Sequence, residues 1–232
     1  MGELAAGINF FHGAGEQTVT NNGDSLEITY GGERAVSVVE KILALLSSDD
    51  VLIPDTAITN NDRWKITSAM FQQDQILIRT TTFQPVPRDL RKMETDFGVL
   101  PIPKFDEAQE KYYSTMNSTF GVVAVPVTST DLDRAGIILE AMAVESISTV
   151  SPAFYEVSLQ GKVFRDDDSQ EMLDIIFANK VYDIGLLFNV GTFSDIMRNQ
   201  IKAGTNTFVS TLEGKTEAAQ LEIEKLVEAF GG

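Results

Sequence analysis

The middle of the chain reads Phe97-Gly98-Val99-Leu100-Pro101-Ile102-Pro103-Lys104 and, beyond Tyr112-Tyr113, continues Phe120-Gly121-Val122-Val123-Ala124-Val125-Pro126. Its two apolar runs, residues 99–102 and 122–125, are each long enough for one buried strand. Proline fixes φ and removes an amide donor, so Pro101, Pro103 and Pro126 disfavour central positions in a sheet. We therefore expect edge strands, or segments that cross from one part of the protein to another.

Helices and strands alternate on both sides of this stretch. Apolar residues at helical spacing predict helices over residues 33–47, 61–73, 131–145, 192–203 and 212–230. Gly204 is expected to end the fourth of these, and the fifth to bury Ala218, Leu221 and Leu226. Residues 75–81 indicate a strand, and Asn21-Asn22-Gly23-Asp24 indicates the turn of a hairpin preceded by loop. The alternation predicts an α/β fold.

Composition excludes several functional classes. The 232 residues can bury one good core or two small ones, and 18 basic against 34 acidic residues leave a net charge of −16. Nucleic acids and anionic membranes need a basic footprint, so we expect neither as a partner. The chain has no cysteine and one histidine, His12. Disulfides, thiolate nucleophiles, iron–sulfur clusters and the usual zinc sites are therefore excluded.

The many acidic residues do not single out a catalytic or metal site. A glycosidase needs two carboxyl groups opposed across a sugar, and the spacing selects no such pair. The run Asp166-Asp167-Asp168 could bind a metal, but Asp168 with Glu171 also fits the capping of a helix over residues 170–179. We favour capping, because negative charge is stabilising at a helix N-terminus. We predict no catalytic residue, no metal and no cofactor.

A loop after the predicted strand is the first candidate for ligand binding. Sugar sites use aromatic faces for the apolar side of the ring, and amide or hydroxyl groups for its hydroxyls. Thr81, Thr82, Phe83 and Gln84 offer that mixture, and α/β sheets commonly place ligands after strands. Core packing for Phe83 and solvation for Gln84 are the alternative.

A second candidate precedes a glycine turn near the start of the chain. Phe11 and His12 combine an aromatic ring with a titratable one, and core packing is again the alternative. Tyr182, Asp183 and Phe193 fit a binding pattern less well, because the helical spacing of Phe193 favours the core.

Several segments, in this order along the chain, resemble one family. They are residues 30–36, 69–78, 97–104, 124–129 and 171–177, which read Tyr-Gly-Gly-Glu-Arg-Ala-Val, Ala-Met-Phe-Gln-Gln-Asp-Gln-Ile-Leu-Ile, Phe-Gly-Val-Leu-Pro-Ile-Pro-Lys, Ala-Val-Pro-Val-Thr-Ser and Glu-Met-Leu-Asp-Ile-Ile-Phe. In order and spacing the chain resembles extracellular solute-binding proteins of the maltose-binding-like class, which deliver ligand to ABC importers. Residues 96–104 look like the segment where those proteins cross between lobes. The family's helix ends in Phe-x-x-Gly, where this chain has Asp74 instead of glycine.

The resemblance implies a type II periplasmic-binding-protein-like lobe, a mixed sheet flanked by helices. Residues 1–95 and 151–232 would form most of the C-terminal lobe, and residues 96–150 an excursion that belongs to the N-terminal lobe. The resemblance further implies that the chain is part of a longer extracellular or periplasmic protein, anchored as a lipoprotein. The export signal and the first lobe would then lie outside these residues.

The resemblance also implies solute binding without catalysis. The ligand, a sugar or oligosaccharide, would lie in the cleft between lobes, lined by residues 81–84, and the partner would be a membrane permease. A carbohydrate-active hydrolase domain and a non-catalytic cell-surface interaction module stay open as alternatives. We expect the two apolar runs to be covered by the helix over residues 131–145 or by pairing into a homodimer. An exposed Val or Ile is unfavourable by about 1.5–3 kcal/mol relative to burial.

Overall fold

The computed structural model describes residues 6–23, 25–58, 62–83, 86–91, 93–117, 121–155 and 167–230. Among these residues helices predominate, and the strands form two two-stranded sheets. The predicted α/β class is confirmed at this level. The chain divides into unit 1, Met1–Ala69, Leu100–Ser118 and Met172–Gly232, and unit 2, Met70–Val99 and Thr119–Glu171. The predicted division into residues 1–95 with 151–232 and residues 96–150 stays a prediction.

The described elements follow one another along the chain with few strands among them. They are α1 (Ala6–Gly13), β1 (Val19–Asn21), β2 (Leu26–Ile28), α2 (Glu33–Leu46), α3 (Pro54–Ala57), α4 (Arg63–Gln72), a π-helical turn (Val86–Leu90), β3 (Ser114–Thr115), α5 (Leu132–Ser148), α6 (Val150–Pro152), α7 (Asp167–Ala178), β4 (Lys180–Val181), α8 (Ile184–Leu187), a 3-10 turn (Val190–Thr192), α9 (Phe193–Ala203) and α10 (Phe208–Phe230). β1 and β2 form the predicted antiparallel hairpin, and β3 pairs with β4 in parallel.

The core of unit 1 is built around Tyr30. The ring centroid of Tyr30 lies 5.0 Å from that of Phe11, 5.5 Å from that of Phe193 and 4.9 Å from that of Phe208. Aliphatic side chains from α2, α9 and α10 complete the core. Edge-on and tilted aromatic pairs of this kind stabilise a fold beyond the area that they bury.

Two predicted helices of unit 1 are confirmed in extent, and α9 buries the predicted Phe193, Ile196, Met197 and Ile201. α2 buries one apolar stripe, but this stripe includes Leu43, whereas Leu45, which helical spacing places on the same face, is 47% exposed. Gly204 ends α9 as predicted, with φ +63° and its N–H directed to carbonyls of the last turn. Glycine adopts this left-handed conformation without steric penalty.

Two other expectations for unit 1 are wrong. The residues before the hairpin were expected to be loop, but they contain α1, which packs closely enough that a Cβ on Gly7 would lie 2.6 Å from Met197 Sδ. α10 begins at Phe208, earlier than predicted, and buries Ala219 and Ile223. Tertiary packing chooses the buried face wherever a helix has apolar residues on more than one side.

α4 ends in a left-handed residue at the position where the resembled family has glycine. Asp74 has φ +58°, and its N–H donates to the Phe71 carbonyl at 3.2 Å. The N–H of Gln75 donates to the Met70 carbonyl at 2.9 Å. These two bonds form a Schellman motif, whose left-handed position favours glycine.

Residues 75–81 were predicted as a strand, and residues 99–102 and 122–125 as edge strands or crossing segments, and none of the three forms a strand. Residues 75–81, 99–102 and 122–125 make no sheet pairs. Leu77 is 94% exposed and Val122 is 77% exposed, so neither lies in a core. The short apolar runs have the composition of a strand. Two of them, however, contain or adjoin prolines, which cannot donate a backbone hydrogen bond to a neighbouring strand.

α5 is confirmed as a helix, but it does not cover the apolar runs. The Asp131 side chain accepts the N–H of Arg134 at 3.0 Å and caps the helix. No residue of α5 is buried, and its large apolar side chains are half or more exposed at Leu132, Ile137, Ile138, Met142, Val144 and Ile147. The expected cover by this helix is therefore wrong, and pairing with a second copy stays a prediction.

In the part of the chain that the structure describes, no helix combines the length and the apolar character needed to cross a bilayer.

Candidate functional site

The single histidine lies at the end of α1, inside unit 1. His12 is 1% exposed, and both of its ring nitrogens have a partner. Nε2 lies 3.1 Å from Asp183 Oδ2, and Nδ1 lies 3.1 Å from Thr115 Oγ1. A buried imidazole with both nitrogens engaged is fixed in orientation, because turning the ring would leave polar groups unsatisfied.

Asp183 connects this histidine to three further groups. Its carboxylate accepts the Thr18 N–H at 2.7 Å, the Thr18 hydroxyl at 2.6 Å and the Leu186 N–H at 3.3 Å, the last as the N-cap of α8. We call His12, Thr18, Thr115 and Asp183 the histidine cluster. It joins the end of α1, the start of β1, β3 and the start of α8 into one polar centre.

The electrostatics of the cluster favour a charged carboxylate. Burial alone raises the pKa of Asp183, but hydrogen bonding and attraction from His12, and hydrogen bonds from Thr18, outweigh burial and hold that pKa below its usual value. Burial, and secondly the negative charge of Asp183, raise the pKa of Tyr30 well above its ordinary range. The hydrogen-bond donors around Asp183 thus keep its carboxylate charged in a buried position.

A glycine brings α8 against β1. A Cβ on Gly185 would collide with Thr18 Oγ1 and would lie 2.7 Å from Val19 Cγ2. Only glycine allows this approach, which sets Asp183 directly over the Thr18 hydroxyl and N–H.

Tyr182 is an exposed aromatic ring between two fixed residues. Val181 is held in β4, where its carbonyl accepts the Met116 N–H at 3.0 Å, and Asp183 is held in the histidine cluster. The Tyr182 carbonyl accepts from Gln17 Nε2 at 3.2 Å. Val181 and Asp183 are buried, so strand alternation directs the Tyr182 ring outward, and it is 54% exposed.

The position of Tyr182 is typical of a ligand site. β3 and β4 are parallel, so their carboxyl ends meet at one edge of the sheet, and Tyr182 follows β4 there. Ligands of α/β sheets commonly bind outside the carboxyl ends of strands. An aromatic ring on a rigid backbone, next to the Gln17 amide that donates to the Tyr182 carbonyl, offers the apolar and polar contacts that a sugar needs.

The predicted binding residues have different surroundings. Phe11 and His12 are buried in unit 1, Phe11 fully. Thr81 and Thr82 are exposed and Phe83 is half-buried in unit 2, but no strand precedes them. Gln84 lies outside the described residues. A ligand-binding role for these six residues stays a prediction.

The cluster holds a hydroxyl, an imidazole and a carboxylate in hydrogen-bonded order, as a nucleophilic relay would. Asp183, however, caps α8 and binds both donors of Thr18, so it is already engaged in joining structural elements. We interpret the cluster as the framework that fixes Tyr182. Among the described residues, no group of three His, Asp or Glu side chains could hold a metal ion.

The structure places Asp183 at the centre of the histidine cluster and Tyr182 next to it, which the sequence analysis did not single out. The signal was local: an aromatic residue after a short apolar pair, followed by an aspartate that can cap Ile184-Gly185-Leu186. Strands as short as β3 and β4 are hard to recognise, so their carboxyl ends were not identified.

Comparisons of the chain with protein-family models, with curated proteins and with solved structures found no match.

Proposed function

We propose that this chain is the C-terminal portion of an extracellular solute-binding protein of an ABC importer. Its ligand is a small solute, a carbohydrate, and its partner is the membrane permease of the importer. The protein is non-catalytic, has a type II lobe and acts outside the cytoplasmic membrane, anchored as a lipoprotein. Each of these statements rests on the resemblance of several segments, in their order along the chain, to that family, together with the features below.

The observation that carries the proposal is the course of the chain. It passes from unit 1 to unit 2 inside α4, returns between Val99 and Leu100, leaves again after Ser118 and returns inside α7. Solute-binding proteins of this class likewise cross more than once. The passage between Val99 and Leu100 falls inside the segment, residues 96–104, that resembles a family crossing.

The end of α4 supports the same assignment. The family's helix ends in Phe-x-x-Gly, and here the fourth position, Asp74, has φ +58°. Left-handed backbone is the physical reason for glycine at such a position. Asp74 therefore departs from the family in side chain but agrees with it in backbone.

The ligand surface that we propose within unit 1 is the Tyr182 ring with the Gln17 side chain, whose amide donates to the Tyr182 carbonyl. Tyr182 supplies a face for the apolar side of a sugar, and the Gln17 amide adds polar groups. The predicted residues 81–84 are a second candidate in unit 2, with a half-buried aromatic ring at Phe83.

The electrostatics of Asp183, the carboxylate at the centre of unit 1, disfavour this residue as the acid of a hydrolase. Asp183 has three donors besides His12, and its pKa lies below the usual value, so it would be a poor proton donor near neutral pH. Glycoside hydrolysis needs a carboxylic acid with a raised pKa.

A titration of the isotopically labelled chain with mono- and oligosaccharides tests the proposal. We expect weak binding, with amide shifts concentrated at Tyr182 and Gln17, and no release of reducing sugar above a buffer blank. Tyr182→Ala should weaken binding by about 1–3 kcal/mol through loss of ring contact. The matched control is Leu187→Ala, another exposed apolar side chain of unit 1.

Two results would contradict the proposal. One is a complete absence of shifts across the sugar panel. The other is equal weakening by the Tyr182 and Leu187 variants, which would show that the ring has no specific role. Reducing sugar released by the purified chain would instead favour the hydrolase.

A further inference from the structure

One face of α5 carries a charged residue at each end and apolar residues between them. Arg134 and Glu145 are about three turns apart, so they lie on one face of the helix. Ile138 and Ala141 lie on that same face between them. All four residues are exposed, and Ile137 and Met142, which flank the face, are 68% and 58% exposed.

We propose that α5 pairs with α5 of a second copy of this chain, antiparallel and across a two-fold axis. In that arrangement Arg134 of each copy faces Glu145 of the other, and Ile138 of each faces Ala141 of the other. The face, read in reverse, is complementary to itself in charge and in side-chain size. Self-complementarity is the requirement for an interface related by a two-fold axis.

Charge selects the antiparallel direction. A parallel pair would place Arg134 against Arg134 and Glu145 against Glu145, which repel. The antiparallel pair converts both contacts into attraction at the two ends of the interface. Asp131 already holds Arg134 through Nε at 2.9 Å, so the guanidinium is partly ordered before a partner arrives.

Side-chain size supports the same register. Ile138 against Ala141 sets a large side chain opposite a small one on both sides of the axis, which lets two helices approach closely. Ile137 and Met142 then lie along the two edges of the interface between the helices. The net charge of −16 on each chain opposes association, so the dimer is expected to be weak and visible at high concentration.

This inference is independent of the proposed function, because it uses only the residues of α5. Sedimentation of the full chain over a wide concentration range tests it, with four forms: wild type, Glu145→Arg, Arg134→Glu and the double variant. Each single variant should raise the dimer dissociation constant by about tenfold or more, because it places like charges opposite each other. The double variant should restore wild-type association.

The helix itself should survive these changes. Glutamate near the N-terminus and arginine near the C-terminus both suit the helix dipole, so helicity should hold or rise. Glu224→Arg, an exposed residue of α10, is the control for net charge, because it changes the charge of the chain as Glu145→Arg does. It should leave the association at or above the wild-type level.

Three outcomes would overturn the proposal. Wild type could remain monomeric at every concentration, in which case another segment or protein covers α5. The double variant could associate no better than the single ones, which would exclude the antiparallel register. Glu224→Arg could weaken association as much as Glu145→Arg, which would show that position on α5 is irrelevant.

Discussion

α9 in unit 1 and α5 in unit 2 differ in burial, and the difference is the opposite of what their compositions suggest. α9 carries Asp195, Arg198 and Lys202 on its exposed side, yet it buries five residues. α5 is richer in large apolar residues, but none of its residues is buried.

The arrangement of apolar residues around each helix explains the difference. In α9 they form one stripe, so a single core surface satisfies the helix and water satisfies the rest. In α5 they lie on nearly all sides, and a helix of this kind needs partners on more than one face. The distribution of apolar residues around a helix therefore predicts how it packs inside a unit. A helix that exposes much apolar surface is expected to make further contacts with another segment or molecule.

The largest test of this comparison is a pair of truncations. Phe193→Ala should lower the free energy of unfolding of unit 1 by about 3–5 kcal/mol, because a fully buried ring leaves a cavity. Ile147→Ala, on the part of α5 outside the proposed pairing face, should change stability by less than about 0.5 kcal/mol. Urea unfolding followed by near-ultraviolet circular dichroism measures both. Similar losses in the two variants would show that α5 is packed in solution.

The next test compares two aspartates that cap helices. Hydrogen bonds from Arg134 lower the pKa of the exposed Asp131, and His12 with Thr18 lower that of the buried Asp183. A lowered folded-state pKa stabilises the fold above the unfolded value near 3.9, and this contribution is lost as pH falls through the folded value. Asp183→Asn should cost about 3 kcal/mol at neutral pH and flatten the acid end of the stability profile.

Asp131→Asn is the matched control for that profile. Solvent screens its charge, so it should leave the pH dependence of unfolding almost unchanged. An acid transition that is equally steep in wild type and in Asp183→Asn would exclude the histidine cluster as its cause.

The smallest effect concerns unit 2 alone. Asp74→Gly should stabilise the end of α4 by about 0.5–1 kcal/mol, because glycine removes the strain of positive φ. The Asp74 side chain also accepts the Thr95 hydroxyl at 2.9 Å, so Thr95→Val measures that loss separately. Hydrogen exchange at the Gln75 amide reports the local opening. Faster exchange in the glycine variant than in Thr95→Val would contradict the strain argument.

Sequence patterns predicted the helices well where one stripe was dominant. α2 and α9 each have such a stripe, and a glycine marks the end of α9. α10 is a helix as predicted, but its buried face was predicted incorrectly, because Leu221 and Val227 give it a second apolar side. The helix also begins earlier than predicted, at Phe208. Phe208 packs against Tyr30, a contact that no local pattern encodes.

The histidine cluster could not be predicted from local pattern at all. His12 and Asp183 are 171 positions apart, and each has an ordinary local role, one ending a helix and the other capping a helix. The strand prediction for residues 75–81 failed for a related reason. Three consecutive apolar residues are compatible with a strand, but a strand also needs a neighbour to pair with, and no local pattern specifies one.

The burial of the only histidine makes unit 1 observable by itself. A chain with one imidazole gives one pair of ring-proton resonances in a proton spectrum, free of overlap from other histidines. Those resonances belong to a ring fixed between Thr115 and Asp183, so in the purified protein their positions would report the folding of unit 1 without sequential assignment. Unit 2 contains no histidine, so a change in these resonances on unfolding would report unit 1 alone.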